Sequence, residues 1–158
     1  MLHPPEDISD CSGDTDYDPY SPSPGAYAVV RLNPVEMVKV LEDSTAAAEA
    51  EAMEPKAYLV WLNLELALPF PDQPWYRFHV CPIGLGLRPR DTETGITPEM
   101  CVPIGPNAYH PAGREPVHPE GCFPYTGCYH WLGIGTTVRV RGRPEGFSEE
   151  NGAKLSSR

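Results

Sequence analysis

Two pairs of side chains carry the residue types that metal and thiol chemistry use: His79 with Cys81, and Cys128 with His130. They are the same pair in reversed order. On a β-strand, residues i and i+2 share a face, so each pair presents an imidazole and a thiol to one side. In one antiparallel register His79 falls opposite His130 and Cys81 opposite Cys128. Directly opposed side chains have Cβ atoms ~4.5–5.5 Å apart, and four N/S donors on that scale suit tetrahedral Zn²⁺. His79, Cys81, Cys128 and His130 are thus the candidate metal ligands. The spacing lacks a Cys-x2-Cys knuckle, and free cysteine ordinarily packs as a small hydrophobe. The plainer expectation for the four is packing, with no cofactor.

The stretch between the pairs holds a second set of donors, Cys101, His110, His118 and Cys122. Cys122 lies in a Gly-Cys-Phe-Pro turn that would expose it. A thiol activated by a neighbouring histidine is a nucleophile, which makes Cys122, His110 and His118 the candidate catalytic residues. No third orienting group accompanies them. Further on, Arg139, Arg141 and Arg143 form a small basic cluster. Guanidinium forks suit carboxylate and phosphate, so these three are the candidate anion-binding residues. Their plainer role is protection of a sheet edge from mispairing. Trp61, Trp75 and Trp131, with Tyr76, Tyr125 and Tyr129, are candidates for a ligand groove, although aromatics at strand spacing more often fill a core.

The elements that must position these residues follow from periodicity. Ala26–Leu32 is a short β-type run. Asn33-Pro34-Val35-Glu36 is a helix start, with Asn33 as cap and Pro34 at the first position. The helix runs over 34–53, where Asp43-Ser44-Thr45 interrupts or recaps it. Ala57–Leu68 alternates strictly and predicts a strand whose inner face is Tyr58, Val60, Leu62, Leu64, Leu66 and Leu68. Trp75–Cys81 forms a hairpin with it, placing Tyr76, Phe78 and Val80 on one face and Trp75, Arg77, His79 and Cys81 on the other. Cys128–Leu132 and Thr136–Arg141 complete the set. Val80-Cys-Pro-Ile-Gly84 and Cys101-Val-Pro-Ile-Gly105 resemble one another and suggest equivalent turns. The sequence therefore predicts an α+β domain over 26–144: a mainly antiparallel sheet of about five strands, covered by one helical segment and crossed by a long Pro/Gly-rich loop.

Composition narrows the function. The 158 residues include 20 prolines and carry a formal net charge of -10. Six carboxylates and no Lys or Arg fall within residues 1–25, which read as a disordered acidic leader. Its aspartates do not fit a calcium loop, because the sixth and twelfth positions counted from Asp14 are Pro19 and Gly25. Ser21-Pro22-Ser23-Pro24 could accept proline-directed phosphorylation. Residues 145–158 read as a polar tail. An acidic chain is a poor non-specific ligand for nucleic acid or anionic membrane. No apolar run reaches the ~18 residues of a membrane span, and five cysteines are an odd number. The sequence predicts an intracellular protein of cytoplasm or nucleus that acts on protein partners without catalysis. The alternative is a small zinc protein or enzyme built on the Cys/His-rich stretch 79–130.

Overall fold

The computed structural model describes residues 20–66, 68, 70, 73–149 and 152–155. The aspartates of the acidic leader lie outside the described residues. In chain order the elements are β1 (Tyr27–Arg31), α1 (Pro34–Val38), α2 (Ser44–Ala52), β2 (Ala57–Glu65), β3 (Trp75–Leu85), β4 (Cys101–Pro103), β5 (Cys128–Trp131) and β6 (Thr136–Arg141). The strands form one antiparallel sheet in the order β1-β2-β3-β5-β4, and β6 also pairs with β3.

Everything is arranged on β3. One side of it takes β2. The other takes β6 along Trp75–Val80 and then β5 along Ile83–Leu85. Between those two pairings, Cys81 and Pro82 of β3 face the five residues Trp131–Gly135. Pro82 lacks the N–H that a ladder needs, and it stands where β3 changes partner. The core lies on one face of the sheet: Tyr76, Phe78 and Val80 of β3 with Val60 and Leu62 of β2 and Ala26. Tyr20, Ala28, Val30, Val138 and Val140 pack around them.

The strand pattern of β2 holds only to Leu62. Asn63 is an extra residue, and the register against β3 shifts between Leu62 and Leu64. One inserted residue turns every later side chain to the opposite face. Leu62 is accordingly 1% exposed and Leu64 54%, and Leu66 and Leu68 follow Leu64 into the open. The expected unbroken apolar face is therefore cut in half by the bulge.

The helical segment starts as its sequence predicts. Asn33 Oδ1 accepts from the Glu36 N–H at 3.2 Å, with Pro34 in the first turn. A single 3₁₀ turn follows, Glu42 adopts φ of 52°, and Asp43 recaps the chain by accepting from the Thr45 and Ala46 N–H groups. The break has a consequence for packing. Val35, Met37, Val40, Leu41 and Met53 are exposed, and Ala50 is the one buried residue of the two helices. α1 and α2 make their main packing contacts with each other. These exposures do not bear out the expected helical cover: the turn at Glu42 divides the apolar stripe, and α2 is mostly alanine and glutamate.

The ends of the described chain belong to the fold. Tyr20 packs on the core and Ser21 is buried. Gly25 N–H donates to Leu62 O, Tyr27 N–H to Ala153 O and Leu155 N–H to Gly25 O. Lys154 bridges both Ala26 and Glu120, and its ammonium pairs with Glu149, which also accepts from the Ser23 N–H. The Pro/Gly-rich stretch contains β4, absent from the sequence reading, and a parallel bridge between Ile104 and Val117. Its Cys101-Val-Pro-Ile-Gly105 pentad ends a strand, whereas Val80–Gly84 lies within β3, so the two are not equivalent turns. No helix of the described residues is long and apolar enough to cross a membrane.

This division between core and open helix predicts two unequal substitutions. Phe78→Ala should lower the unfolding free energy by about 3–5 kcal/mol. Val40→Lys on the helical segment should change it by no more than about 0.5 kcal/mol. Urea unfolding followed by tryptophan fluorescence measures both, and a large loss for Val40→Lys would restore the helical cover.

Candidate functional site: an arginine face on the central strand

β3 and β5 do pair, but not in the register that would gather the four metal candidates. Ile83 faces His130 and Leu85 faces Cys128, while Cys81 pairs with Trp61 and His79 with Thr137. The displacement has a steric cause. The Trp131 ring lies against Gly84, where a Cβ would stand 2.0 Å from Trp131 Cε2, and its indole N–H donates to Gly86 O at 3.0 Å. The His79 ring lies in the same way under Gly135, where a Cβ would stand 2.1 Å from Nε2, and its Nδ1 is 3.3 Å from Asn63 Nδ2. Among the described residues no three His, Cys, Asp or Glu side chains gather as a metal-ligand set.

His130 sits instead in an aromatic cluster. Its Nε2 and Tyr27 Oη share a hydrogen bond of 2.7 Å, Trp61 meets its ring edge-on at 5.4 Å, and Phe123 meets Tyr27 at 4.9 Å. Burial holds the His130 ring down to about 4 and pushes the Tyr27 phenol well above the usual tyrosine range. Both partners are therefore neutral near pH 7, where an acid–base pair would need one of them poised to exchange a proton. Burial also raises the Cys81 and Cys128 thiols, which is the reverse of nucleophile activation.

The loop candidates are dispersed. Cys122 is exposed and lines a groove of about 200 Å³ with Tyr27, Phe123 and Tyr125. Tyr125 is the one member of the expected aromatic groove that lines it. Trp61 donates its indole N–H to Gly25 O and Tyr129 its hydroxyl to Tyr109 O. His110 is buried and structural: its Nδ1 accepts from the Ala112 and Arg114 N–H groups at 3.1 Å each, holding the loop. The proton is then on Nε2, which is buried without a partner among the described residues. His118 is exposed and lies over Gly105. Neither histidine is hydrogen-bonded to Cys122 among the described residues.

The arginines are where the sheet concentrates charge. Pairing of β3 with β6 sets Arg77 directly opposite Arg139 and Trp75 directly opposite Arg141. By strand alternation all four side chains stand on the face away from the core, and the three arginines are exposed. Among the described residues none of the three makes an ion pair. Arg143, past the end of β6, leaves this face. Its N–H donates to Tyr20 O at 3.4 Å and its guanidinium lies 4.8 Å from the centre of the Phe147 ring. Arg77 was the member the sequence reading missed as a site residue. Its outward parity was visible, but its opposition to Arg139 follows only from the register.

Comparison with protein-family models, with curated proteins and with solved structures finds no match to this chain.

Two measurements test the chemistry assigned here. His130 is held at about 4 in the fold and titrates near 6.5 when unfolded, so in that window the unfolded chain binds a proton that the folded chain refuses. The stabilisation is complete above pH 6.5 and falls, by on the order of 3 kcal/mol in all, as pH drops to about 4. His130→Gln should flatten this part of the stability–pH curve, and an unchanged slope would remove His130 as its source. In thiol labelling of the native protein at neutral pH, Cys122 should react first of the described cysteines. Cys101 and Cys128 should react only on unfolding, as peptide mass analysis would show.

Proposed function

We propose that this chain is a non-enzymatic interaction protein whose arginine face receives an acidic segment of a protein partner. The observation that carries the reading is the direct opposition of Arg77 and Arg139 with no counter-ion among the described residues. Like charges set directly opposite one another on a sheet are destabilising. Edge protection accounts for Arg139 and Arg141 on β6. It does not account for Arg77, which lies on a strand paired along both sides. A carboxylate-rich segment relieves the repulsion and matches the guanidinium forks, and the half-buried Trp75 beside them offers apolar contact.

Charge favours protein over nucleic acid as the partner. The whole chain is at -10, and a polyanion long enough to track a groove would meet that field beyond the arginines. A short acidic peptide would not. The neutral state of the Tyr27–His130 pair and the raised Cys81 and Cys128 thiols support a reading without catalysis.

The test is fluorescence anisotropy of a labelled glutamate-rich peptide titrated with the full chain. Binding should weaken with rising salt, and the Arg77→Gln, Arg139→Gln, Arg141→Gln triple variant should weaken it by roughly tenfold or more. Equal affinity in the triple variant would sink the reading.

A further inference from the structure

We infer that the arginine face is occupied within the free chain by its own residues 1–19, which a partner must displace. The inference rests on the reading of that face as a site for acidic segments. Three observations bring the occupant to it. Residues 1–19 contain Glu6, Asp7, Asp10, Asp14, Asp16 and Asp18 and no Lys or Arg, so their charge is complementary to the face. They join the fold at Tyr20, whose carbonyl accepts from the Arg143 N–H. Tyr20, Arg141 and Arg143 also line one recess of about 270 Å³ at the end of β6. The acidic segment is thus tethered beside the cluster it complements.

The path is short enough. Tyr20 packs on the core side of the sheet, so the preceding residues must round the edge to reach Arg139 and Arg77. β6 has no strand beyond it among the described residues, which leaves that edge open. An extended chain advances ~3.3 Å per residue, so a few residues round the edge and the remainder can run along β6. Of the other described cations three have carboxylate partners and one is distant in the sheet order, while Lys56, Arg88 and Arg114 lie outside the β3–β6 pairing. Lys39, Arg90 and Lys154 have carboxylate partners, and Arg31 is on β1, at the opposite edge from β6. Tethering makes the segment a local competitor at an effective concentration that can reach the millimolar range. It would lower the affinity for a partner without altering the site.

Two experiments on the full chain test this. In the first, Glu6→Gln with Asp7, Asp10, Asp14, Asp16 and Asp18→Asn neutralises the segment, and the glutamate-rich peptide is titrated as above. The neutralised chain should bind roughly tenfold tighter at low salt, with the gain shrinking as salt rises. Equal affinities, each still lost in the arginine triple variant, would overturn the inference and leave the site reading standing. Absence of arginine-dependent binding in the neutralised chain would overturn both. In the second, a nitroxide on Cys11, in a Cys81→Ser, Cys122→Ser chain, should broaden the amide signals of 75–79 and 136–141 at low salt and release them at high salt. Sharp signals at low salt would overturn the inference independently of any peptide.

Discussion

Two rings lying on two glycines set the register of this sheet, and most of the structure follows from them. Trp131 occupies the space a side chain at Gly84 would need, and His79 the space of one at Gly135. The first contact fixes β5 against the far end of β3, and the second fixes where β6 begins. The five residues from Trp131 to Gly135 must then pass the two residues Cys81 and Pro82. With β6 so placed, Val138 and Val140 face the core and Arg139 and Arg141 face away. A slip of one residue would exchange them and bury guanidinium groups against Phe78. The opposition of Arg77 and Arg139 is therefore as firmly determined as the core itself.

The same packing explains why the densest histidine and cysteine stretch of the sequence gathers no metal-ligand set among the described residues. Cys101 and Cys128 are buried beside Ile104 and Tyr129 and serve as small apolar side chains. His130 lies among Tyr27, Trp61 and Phe123, where its ring is favoured neutral. Withdrawal from water moves the Cys128 thiol and the His130 ring away from their charged forms. A thiolate needs a nearby charge or donor that favours ionisation, whereas burial raises the Cys81 and Cys128 thiols.

Strand positions and parity were legible in the sequence because alternation is a local signal. Tyr76, Phe78 and Val80 against Arg77 and His79 could be read from β3 alone, and so could the cap at Asn33. Partner choice was not legible. The reversed His/Cys pairs set Trp75–Cys81 against Cys128–Leu132. Instead β5 pairs with Ile83–Leu85, beyond that expected strand, in a register that accommodates the Trp131 indole, while Trp75–Val80 takes β6. The bulge at Asn63 was hidden for a related reason. The leucines continue in perfect alternation through Leu68, and only pairing with β3 reveals that the face has turned over. The helix was legible as a helix but not in its packing, since the turn at Glu42 divides a stripe that reads as continuous. β4 is three residues long and lies in proline-rich text, too short to show a period.

The distribution of charge completes the picture. Residues 57–144 hold seven arginines and seven carboxylates, so this segment is balanced and the excess negative charge lies in residues 1–25, in the helical segment and past residue 144. Three of those arginines nevertheless stand together on one sheet face, two of them directly opposed. Balance over the body with concentration on one face means that the carboxylates of the same segment are elsewhere: Glu99 pairs with Arg90, Asp91 caps its own turn through Glu93 and Thr94, and Glu65 lies on the core side beside Ser21. Among the described residues no carboxylate forms an ion pair with the three arginines of this face. A sheet surface in that condition is stable enough to persist and left with unused attraction for carboxylates. Those of residues 1–19, which join the fold at Tyr20, are the ones the chain carries with it.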